Sequence, residues 1–223
     1  EFYRNKGEKN EFSIYSKFTR KISEKLTGFL DLQIRNVNYK VGGVVNGLVP
    51  INVSDNFSFF NPKAGMTYKL KDDTDLYLSF AKSHREPNRT DYENGNPLPE
   101  KLSNYELGLR KSNWSLNVYY MRYKDQLVLS GELDEVGSPI RQNVGDSYRL
   151  GVEFDSSFNI SDKISWNPNL SFSENKNIDF YFKRDGILNN LGNTNISFSP
   201  NIVAASNVQY EIGEKTFISV LTK

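Results

Sequence analysis

The stretch NPLPEKLSNYELGLR, residues 96–110, decides the fold. It opens with two prolines and an asparagine and ends in the strict alternation YELGLR, in which Tyr105 and Leu107 take one side and Glu106 the other. A period of two indicates a β-strand with one apolar and one polar face. In an ordinary soluble protein the apolar face would cover a compact core, whereas we expect this one to contact lipid.

Composition limits the kinds of partner that the chain can have. It has 223 residues, of which 25% are charged, and a formal net charge of +1. A nucleic-acid-binding surface needs a clustered positive excess, which these totals argue against. The absence of cysteine excludes disulfides, thiolate zinc sites and cysteine nucleophiles.

The hydropathy pattern restricts how the chain can meet a membrane. The longest apolar stretches, such as 48–53, are far shorter than the roughly 20 residues that a membrane-spanning helix needs. A membrane-spanning strand needs only every second residue apolar, so the mean hydropathy of −0.60 is compatible with it. The first residues lack the apolar core of a signal peptide, which predicts a cytoplasmic protein or an internal piece of a longer one.

Period-two patterns of apolar residues recur along the whole chain and predict an all-β protein. The predicted fold is an antiparallel up-and-down meander. We expect about ten strands, at residues 10–21, 27–40, 56–70, 75–85, 101–111, 114–130, 143–157, 163–175, 195–211 and 215–222.

The connections between these strands alternate in length. Short, turn-like links such as KDDT, KSN and GEK alternate with four long ones, at residues 41–55, 86–100, 132–142 and 177–194. In a meander this places every tight turn at one end of the sheet and every long loop at the other. Such asymmetry is typical of outer-membrane barrels, which have short periplasmic turns and long extracellular loops.

The polar face of the strands is rich in Ser, Asn, Gly, Glu and Arg, which suits a hydrated lumen opposite a lipid contact. The charged side chains predicted to face that lumen are Glu106, Arg110, Arg149 and Glu153. Aromatic residues near strand ends fit interfacial girdles, although ordinary β-propensity in a soluble core would explain each one equally well. These residues are Tyr39, Tyr68, Tyr105, Trp114, Tyr148, Trp166 and Tyr210.

Four stretches of the chain carry a family resemblance. They are NPKAGMTYKL (61–70), LYLSFAKSHREPNRTDY (76–92), NPLPEKLSNYELGLR with WSLNVYYMRYKDQLV (96–110 and 114–128), and NISFSPNIVAASNVQYEI (195–212). In this order they resemble the C-terminal barrel of TonB-dependent outer-membrane receptors, in particular the iron-siderophore group found in Bacteroidetes-like sequences. The likeness covers most of residues 56–222.

The resemblance implies a 22-stranded transmembrane β-barrel, of which residues 1–223 form somewhat under half, without the plug domain or the closing strand. It implies an outer-membrane transport receptor for a ferric siderophore or a similar scarce nutrient, not an enzyme, with no cofactor. The implied partners are the nutrient, the receptor's own plug domain, the TonB complex and outer-membrane lipid. The four lumen-facing charges would then contact the plug.

Ligand capture is expected in the long loops. Arginine and aromatic side chains bind anionic or planar chelates through charge-assisted hydrogen bonds and cation–π contacts. The candidates are His84, Arg85, Arg89, Tyr92, Arg141, Phe180, Tyr181, Phe182 and Arg184. The competing interpretation for each is an ordinary loop residue, and the FYFKR segment could simply pack on a neighbouring loop.

Catalytic and metal sites find little support in the sequence. His84 is the single histidine, and no nucleophile elbow or phosphate-binding loop is present. The carboxylates at 72–75 and 132–135 do not match a calcium loop and are interpreted as turn and loop residues. The sequence therefore predicts no metal site.

Two other functions remain open at this stage, a secreted carbohydrate-binding β-sandwich and a porin without a plug. A sandwich would bury its apolar faces within one chain. Ten barrel strands on their own would leave two unpaired edges, which are costly in lipid. We expect such a piece to close into a smaller barrel, to pair with a copy of itself, or to form an open sheet.

Overall fold

The computed structural model describes residues 4–45, 48–93, 95–133, 137–184, 187–213 and 216–223. Ten main strands carry the fold. They are β1 (Arg4–Lys21), β2 (Leu26–Val45), β3 (Val49–Lys71), β4 (Thr74–Arg85), β5 (Glu100–Lys111), β6 (Trp114–Lys124), β9 (Asp146–Ser156), β11 (Ile164–Asn177), β15 (Ile202–Gly213) and β16 (Thr216–Thr222).

The remaining elements are short and lie in the connections. They are α1 (Arg89–Glu93), β7 (Leu127–Leu133), β8 (Pro139–Asn143), β10 (Phe158–Ser161), β12 (Tyr181–Arg184), β13 (Ile187–Asn190) and β14 (Thr194–Asn195). None of the described residues belongs to a helix with the length and hydropathy needed to cross a membrane.

The ten main strands form one antiparallel sheet in which each strand pairs with its neighbours in chain order, from β1 at one edge to β16 at the other. The predicted meander of about ten strands is therefore confirmed. In the described part of the chain the only other sheets are the two-stranded hairpins β7–β8 and β12–β13. The sheet is open here, and the β-sandwich interpretation is wrong because none of the described residues forms a second layer over its apolar face.

One face of this sheet, which we call the outer face, carries apolar side chains in register across the strands. Leu78 is 57% exposed and Leu107 is 49% exposed, so no second layer of described residues covers them. Large apolar groups stay out of water in a stable protein, and an uncovered band of them indicates a lipid contact. One row of the band consists of Met66, Leu78, Leu107, Val118, Val152 and Phe172.

The opposite face, the inner face, is polar and contains glycines that seat aromatic rings. Tyr77 lies over Gly108 and Tyr119 over Gly151, each pair in direct cross-strand register. A Cβ atom on Gly108 would lie 2.3 Å from Cζ of Tyr77. Tyr77 also donates a hydrogen bond from its hydroxyl to Oδ1 of Asn117 at 3.0 Å. Glycine is required at these positions because the ring occupies the space of a side chain.

Aromatic rings border the apolar band on the outer face. Phe80, Tyr105, Tyr120 and Tyr148 form a continuous run, with neighbouring ring centroids 4.9, 6.3 and 6.2 Å apart. Towards the short turns, Trp114 pairs with Phe154 and Phe158 with Trp166. Of the predicted girdle residues, Tyr105, Tyr148, Trp114 and Trp166 lie in these two groups of rings. Tyr39 is an exception, because it stacks on Tyr92.

The predicted long loop at residues 41–55 is instead a tall hairpin. Strand β2 continues to Val45 and β3 begins at Val49, and Val41 pairs with Val53. The strands extend because Val41, Val45 and Ile51 form a small buried core with Tyr92 of α1. The first connection at this end is therefore short, while the other three are long as predicted.

Candidate ligand-binding site at the loop end

The long connections β4–β5, β6–β9 and β11–β15 converge at one end of the sheet, which we call the loop end. The β6–β9 and β11–β15 connections, with the ends of β4, β5, β6 and β9, line a cavity of about 330 Å³, which we call the arginine pocket. Its charged and aromatic lining comes from Arg85, Glu100, Tyr123, Arg141, Arg149 and Phe198.

Arg85 and Glu100 are held together by the register of β4 and β5, which places them opposite each other at the ends of the two strands. The Nε atom of Arg85 lies 2.8 Å from Oε2 of Glu100, and Nη2 donates to Oε1 at 3.0 Å. The same Oε1 accepts a hydrogen bond from the Leu127 amide at 2.6 Å. Because Glu100 is nearly buried and bonded on both oxygens, it fixes Arg85 and the start of β7.

Arg149 extends from β9 on the inner face and still has hydrogen-bonding capacity. Its Nη1 donates to Oγ of Ser199 at 3.1 Å, while its Nε is buried without a hydrogen-bond partner among the described residues. A buried donor on a cation is costly when it has no acceptor. Arg149 thus adds a guanidinium cation to the lining of the pocket, where an anionic oxygen would balance its charge.

Phe198 provides a flat apolar surface at the rim. It lies in the connection before β15, is 92% exposed, and has a φ of 55°. A bulky residue at positive φ is strained and needs support from its surroundings. The adjacent Ile196 supplies an anchor, because it is buried and its amide donates to the Asn175 carbonyl at 3.1 Å.

Arg141 reaches the pocket from the β7–β8 hairpin, and its side chain is exposed. The hairpin is fixed by Asn143, whose Nδ2 donates to the carbonyls of Asp125 at 2.6 Å and Leu98 at 3.0 Å. The described lining thus carries three arginines and one glutamate, so the positive charge is in excess. Such a pocket favours an anionic guest.

A second group of predicted ligand residues lies in α1, which packs on the β2–β3 hairpin. Arg89 forms an ion pair with Glu93 at 3.2 Å. Tyr92 is buried, and its hydroxyl donates to Oδ2 of Asp55 at 2.5 Å. Burial and this hydrogen bond raise the pKa of Tyr92 well above its usual range. These contacts give Tyr92 a structural place in the hairpin core.

His84 lies where β4 separates from β3. Its ring stacks on Phe59 with centroids 5.2 Å apart, and Nδ1 lies 2.8 Å from Oδ1 of Asn61. It therefore packs on the sheet rather than lining the pocket.

The third group lies around the β12–β13 hairpin. Phe180 is buried and its amide donates to the Gly192 carbonyl at 2.8 Å, whereas Tyr181 is 50% exposed. The side chains of Phe182 and Arg184 lie outside the described residues. Of the nine predicted ligand residues, the structure thus brings Arg85 and Arg141 together in the pocket.

The charges predicted to face the lumen all lie on the inner face. Asn104 Nδ2 donates to Oε1 of Glu106 at 2.7 Å. The guanidinium of Arg110 lies 5.3 Å from the ring centroid of Tyr77. Glu153 is in register with Asn117, and Arg149 lines the arginine pocket as described above.

Sequence reasoning missed Tyr123 and Phe198 as pocket residues. Tyr123 lay in the interior of the predicted strand 114–130, whereas the observed strand β6 ends at Lys124, one residue after it. Phe198 stands in the segment NISFSPNIV, whose proline and adjacent serines signal a break in the strand. An aromatic residue at such a break is the signal that could have identified it.

An ion network beside α1 ties the β4–β5 connection to the first two strands. Glu86 accepts from Lys9 Nζ at 2.6 Å and from Arg35 Nη2 at 2.6 Å. Arg35 also bonds Glu11 through Nε at 2.6 Å. Burial acts to raise the pKa of Glu86, but the hydrogen bonds from Lys9 and Arg35 outweigh it and lower that pKa.

Comparison with known proteins gives a consistent result. The profile of a family described as "TonB dependent receptor-like, beta-barrel" matches residues 1–215. No functionally curated sequence matches the chain. Among solved structures, the ferric-catecholate import receptor Fiu from E. coli K12 has a TM-score of 0.70 and 14% identity, over 96% of this chain and 34% of that one.

Two further structures are similar at the same level. The alcaligin outer-membrane receptor FauA from Bordetella pertussis has a TM-score of 0.66 and 16% identity, over 95% of this chain and 36% of that one. The copper transporter OprC has a TM-score of 0.69 and 16% identity, over 92% of this chain and 33% of that one. The chain spans about a third of the length of these structures.

Proposed function

We propose, from the premise that this chain belongs to the TonB-dependent receptor family as part of its outer-membrane β-barrel, that the complete protein is an active-transport receptor. Its cargo in this proposal is a ferric siderophore or a similarly scarce nutrient. Barrels of this family lie in the outer membrane, so the uncovered outer face contacts lipid and the loop end is extracellular.

The inner face supports a role in holding a plug domain. In the complete receptor Glu106, Arg110 and Glu153 would pair with polar groups of the plug. Such pairs exchange for water at little net cost, because exposed ion pairs contribute only about 0–1 kcal/mol each. Energy from the TonB complex could then displace the plug without unfolding the barrel.

The observation that carries the cargo proposal is the excess of positive charge in the arginine pocket, whose lining has three arginines and one glutamate. Catecholate and carboxylate oxygens of a ferric chelate are anionic acceptors for these groups. The rings of Tyr123 and Phe198 offer flat surfaces to planar ligand arms. The pocket lies at the extracellular entrance to the lumen, where a cargo molecule would first be held.

The test compares two arginine variants of the full-length receptor in cells and as purified protein. Arg149→Gln removes the pocket cation, whereas Arg122→Gln removes an arginine of the outer face that pairs with Asp146. Binding is measured with an anionic ferric tris-catecholate and a neutral ferric hydroxamate. We expect Arg149→Gln to weaken catecholate binding by about 10- to 100-fold, the value of a charge-assisted hydrogen bond, and Arg122→Gln to leave it unchanged.

Uptake separates this proposal from the porin alternative. A receptor accumulates the ferric chelate against a gradient only when the TonB complex is present. Uptake that continues unchanged in cells lacking that complex would identify a plug-less channel and overturn the proposal. Equal catecholate affinity in wild type and Arg149→Gln would overturn the assignment of the pocket.

A further inference from the structure

A polar hollow interrupts the outer face near the loop end of β1, β2 and β3. Its volume is about 370 Å³. Two cross-strand rows build it, Asn10–Asn38–Asn56 and Phe12–Asn36–Ser58. We call this set of six residues the asparagine hollow.

Hydrogen bonds within the hollow orient its side chains. Asn38 Nδ2 donates to Oδ1 of Asn56 at 2.5 Å, and Ser58 Oγ donates to Oδ1 of Asn36 at 2.8 Å. Each of these amides has one group without a hydrogen bond among the described residues, namely Oδ1 of Asn38 and Nδ2 of Asn36 and Asn56. Within the described part of the chain Asn10 has its whole amide available. The hollow thus presents fixed donors and acceptors side by side.

The position of the asparagine hollow beside the apolar band indicates which part of the membrane contacts the hollow. The next row towards the short turns is Ile14–Ile34–Phe60, and these three side chains are 61%, 54% and 53% exposed. On β2 and β3 that row is the upper limit of the apolar band, which on β1 extends one row further to Phe12. The asparagine hollow is continuous with the band and lies one step outside it, at the depth of the lipid headgroups.

We propose that the asparagine hollow binds a sugar residue in the headgroup of the glycolipid that forms the outer leaflet of the outer membrane. Amide donors and acceptors placed side by side match the vicinal hydroxyls of a sugar, since each hydroxyl both donates and accepts. Phe12, which is 62% exposed, lies at the edge of the hollow and offers a flat surface to the C–H face of the ring. The acyl chains of the same molecule would lie on Ile14, Ile34 and Phe60.

The lining favours a neutral sugar rather than a phosphate group. No lysine or arginine is among the described residues that line the hollow. Phosphate groups are bound in proteins mainly by arginine and lysine, and such binding weakens strongly with salt. Binding through neutral amides should instead change little with ionic strength.

The experiment measures glycolipid retained by the full-length receptor. The receptor is purified in mild detergent, and the bound lipopolysaccharide with a short sugar chain is counted by native mass spectrometry, in parallel with phosphatidylglycerol. The test variant is Asn36→Ala with Asn56→Ala, which removes one amide from each row. The control is Asn113→Ala with Asn159→Ala, two exposed asparagines at the opposite, short-turn end.

We expect the affinity of the test variant for lipopolysaccharide to fall about tenfold, the effect of losing one or two neutral hydrogen bonds, with phosphatidylglycerol retention unchanged. The control should match wild type, and raising the salt should not release the lipopolysaccharide. A single Phe12→Ala variant should weaken retention as well without touching the amides.

Three results would overturn the inference. Equal lipopolysaccharide retention by the test variant and wild type would show that the hollow holds no sugar. A parallel loss of phosphatidylglycerol would show a general loss of lipid packing. Release by salt alone would assign the contact to phosphate. None of these results affects the transport proposal, which is tested separately by measuring cargo uptake.

Discussion

The β2–β3 hairpin has two halves that share one continuous ladder of backbone hydrogen bonds. The two halves carry their apolar side chains on opposite faces of the sheet. In the half near the short turns, the outer face carries Leu30 and Met66 and the inner face carries Asp31 and Lys63. In the half at the loop end, the inner face is mainly apolar, and Val37, Val41 and Ile51 are buried there. There the outer face carries Asn36, Asn38, Asn52, Ser54, Asn56 and Ser58.

The inversion follows from what lies on each side of the sheet. Near the turns, lipid covers the outer face and the hydrated lumen wets the inner one. At the loop end, water and headgroups wet the outer face, while α1 covers the inner one with Tyr92 packed on Val41 and Ile51. The hairpin thus passes from a lipid-covered barrel wall to a small protein core without a change of pairing.

The length of the lipid-covered half fits a bilayer. The apolar outer residues of β3 run from Phe60 to Leu70, ten steps of about 3.3 Å each. At a strand tilt of about 40°, those 33 Å correspond to about 25 Å across the membrane, the height of the apolar band in outer-membrane barrels. The switch between Ser58 and Phe60 therefore marks the outer boundary of the hydrocarbon layer.

The largest effect is expected from a charge placed within the band. Leu107→Arg puts a cation on the lipid-facing side of β5 and should destabilise the full-length barrel by about 2–4 kcal/mol if the residue lies near the midplane. Asn52→Arg makes the same addition on the outer face at the loop end and should change stability by less than about 0.5 kcal/mol. Urea unfolding in lipid vesicles measures both. Equal effects of the two variants would mean that the two halves meet the same medium.

An intermediate loss of stability is expected when a side chain is added to an inner-face glycine that lies under an aromatic ring. A Cβ atom on Gly151 would lie 2.5 Å from the Tyr119 hydroxyl and 2.8 Å from the Phe172 carbonyl oxygen. Because the carbonyl is backbone and cannot move aside, Gly151→Ala should cost about 1–3 kcal/mol.

The matched control for that glycine is Gly42 on the loop-end half, where an added Cβ atom meets no atom within 4 Å. Gly42→Ala should be neutral or slightly stabilising, since alanine restricts the unfolded chain more than glycine does. The same urea titration compares them. If Gly151→Ala unfolded at the same denaturant concentration as wild type, the Tyr119 ring would have to move away from residue 151 without a loss of stability, which contradicts the prediction.

Most of the fold could be predicted from sequence because apolar and polar residues alternate regularly in the lipid-covered half of the strands. Alternation in segments such as YELGLR gave all ten main strands and the side on which Leu107 lies. The loop-end half does not obey that rule. Gly43 and Pro50 are turn signals, and the valines around them were interpreted as a loop, because nothing local shows that α1 returns to cover them.

The site was predictable only in part, for a similar reason. Arg85, Arg141 and Arg149 were each selected as functional, but they are up to 64 residues apart in the chain. Only the pairing of β4 with β5, and of β6 with β9, brings them together around one cavity. Residues that lie close through long connections leave no periodic signal, which is why Tyr123 and Phe198 were missed.

The smallest effect concerns acid and the loop-end half alone. Glu86 has a pKa below its ordinary 4.5 in the folded protein, so its bonds to Lys9 and Arg35 contribute fully above that pH and are lost as pH falls through the lowered value. Glu11 also faces Arg35 and continues to balance part of the Arg35 charge.

We expect hydrogen exchange of α1 amides, corrected for intrinsic rate, to speed up a few fold between pH 5 and about pH 3, while β5 and β6 amides stay protected. Glu86→Gln should exchange at the faster rate already at pH 5 and show a smaller acid response. An equal acid response in the wild type and in Glu86→Gln would assign the loosening to another carboxylate, because the two proteins differ only in the group that titrates.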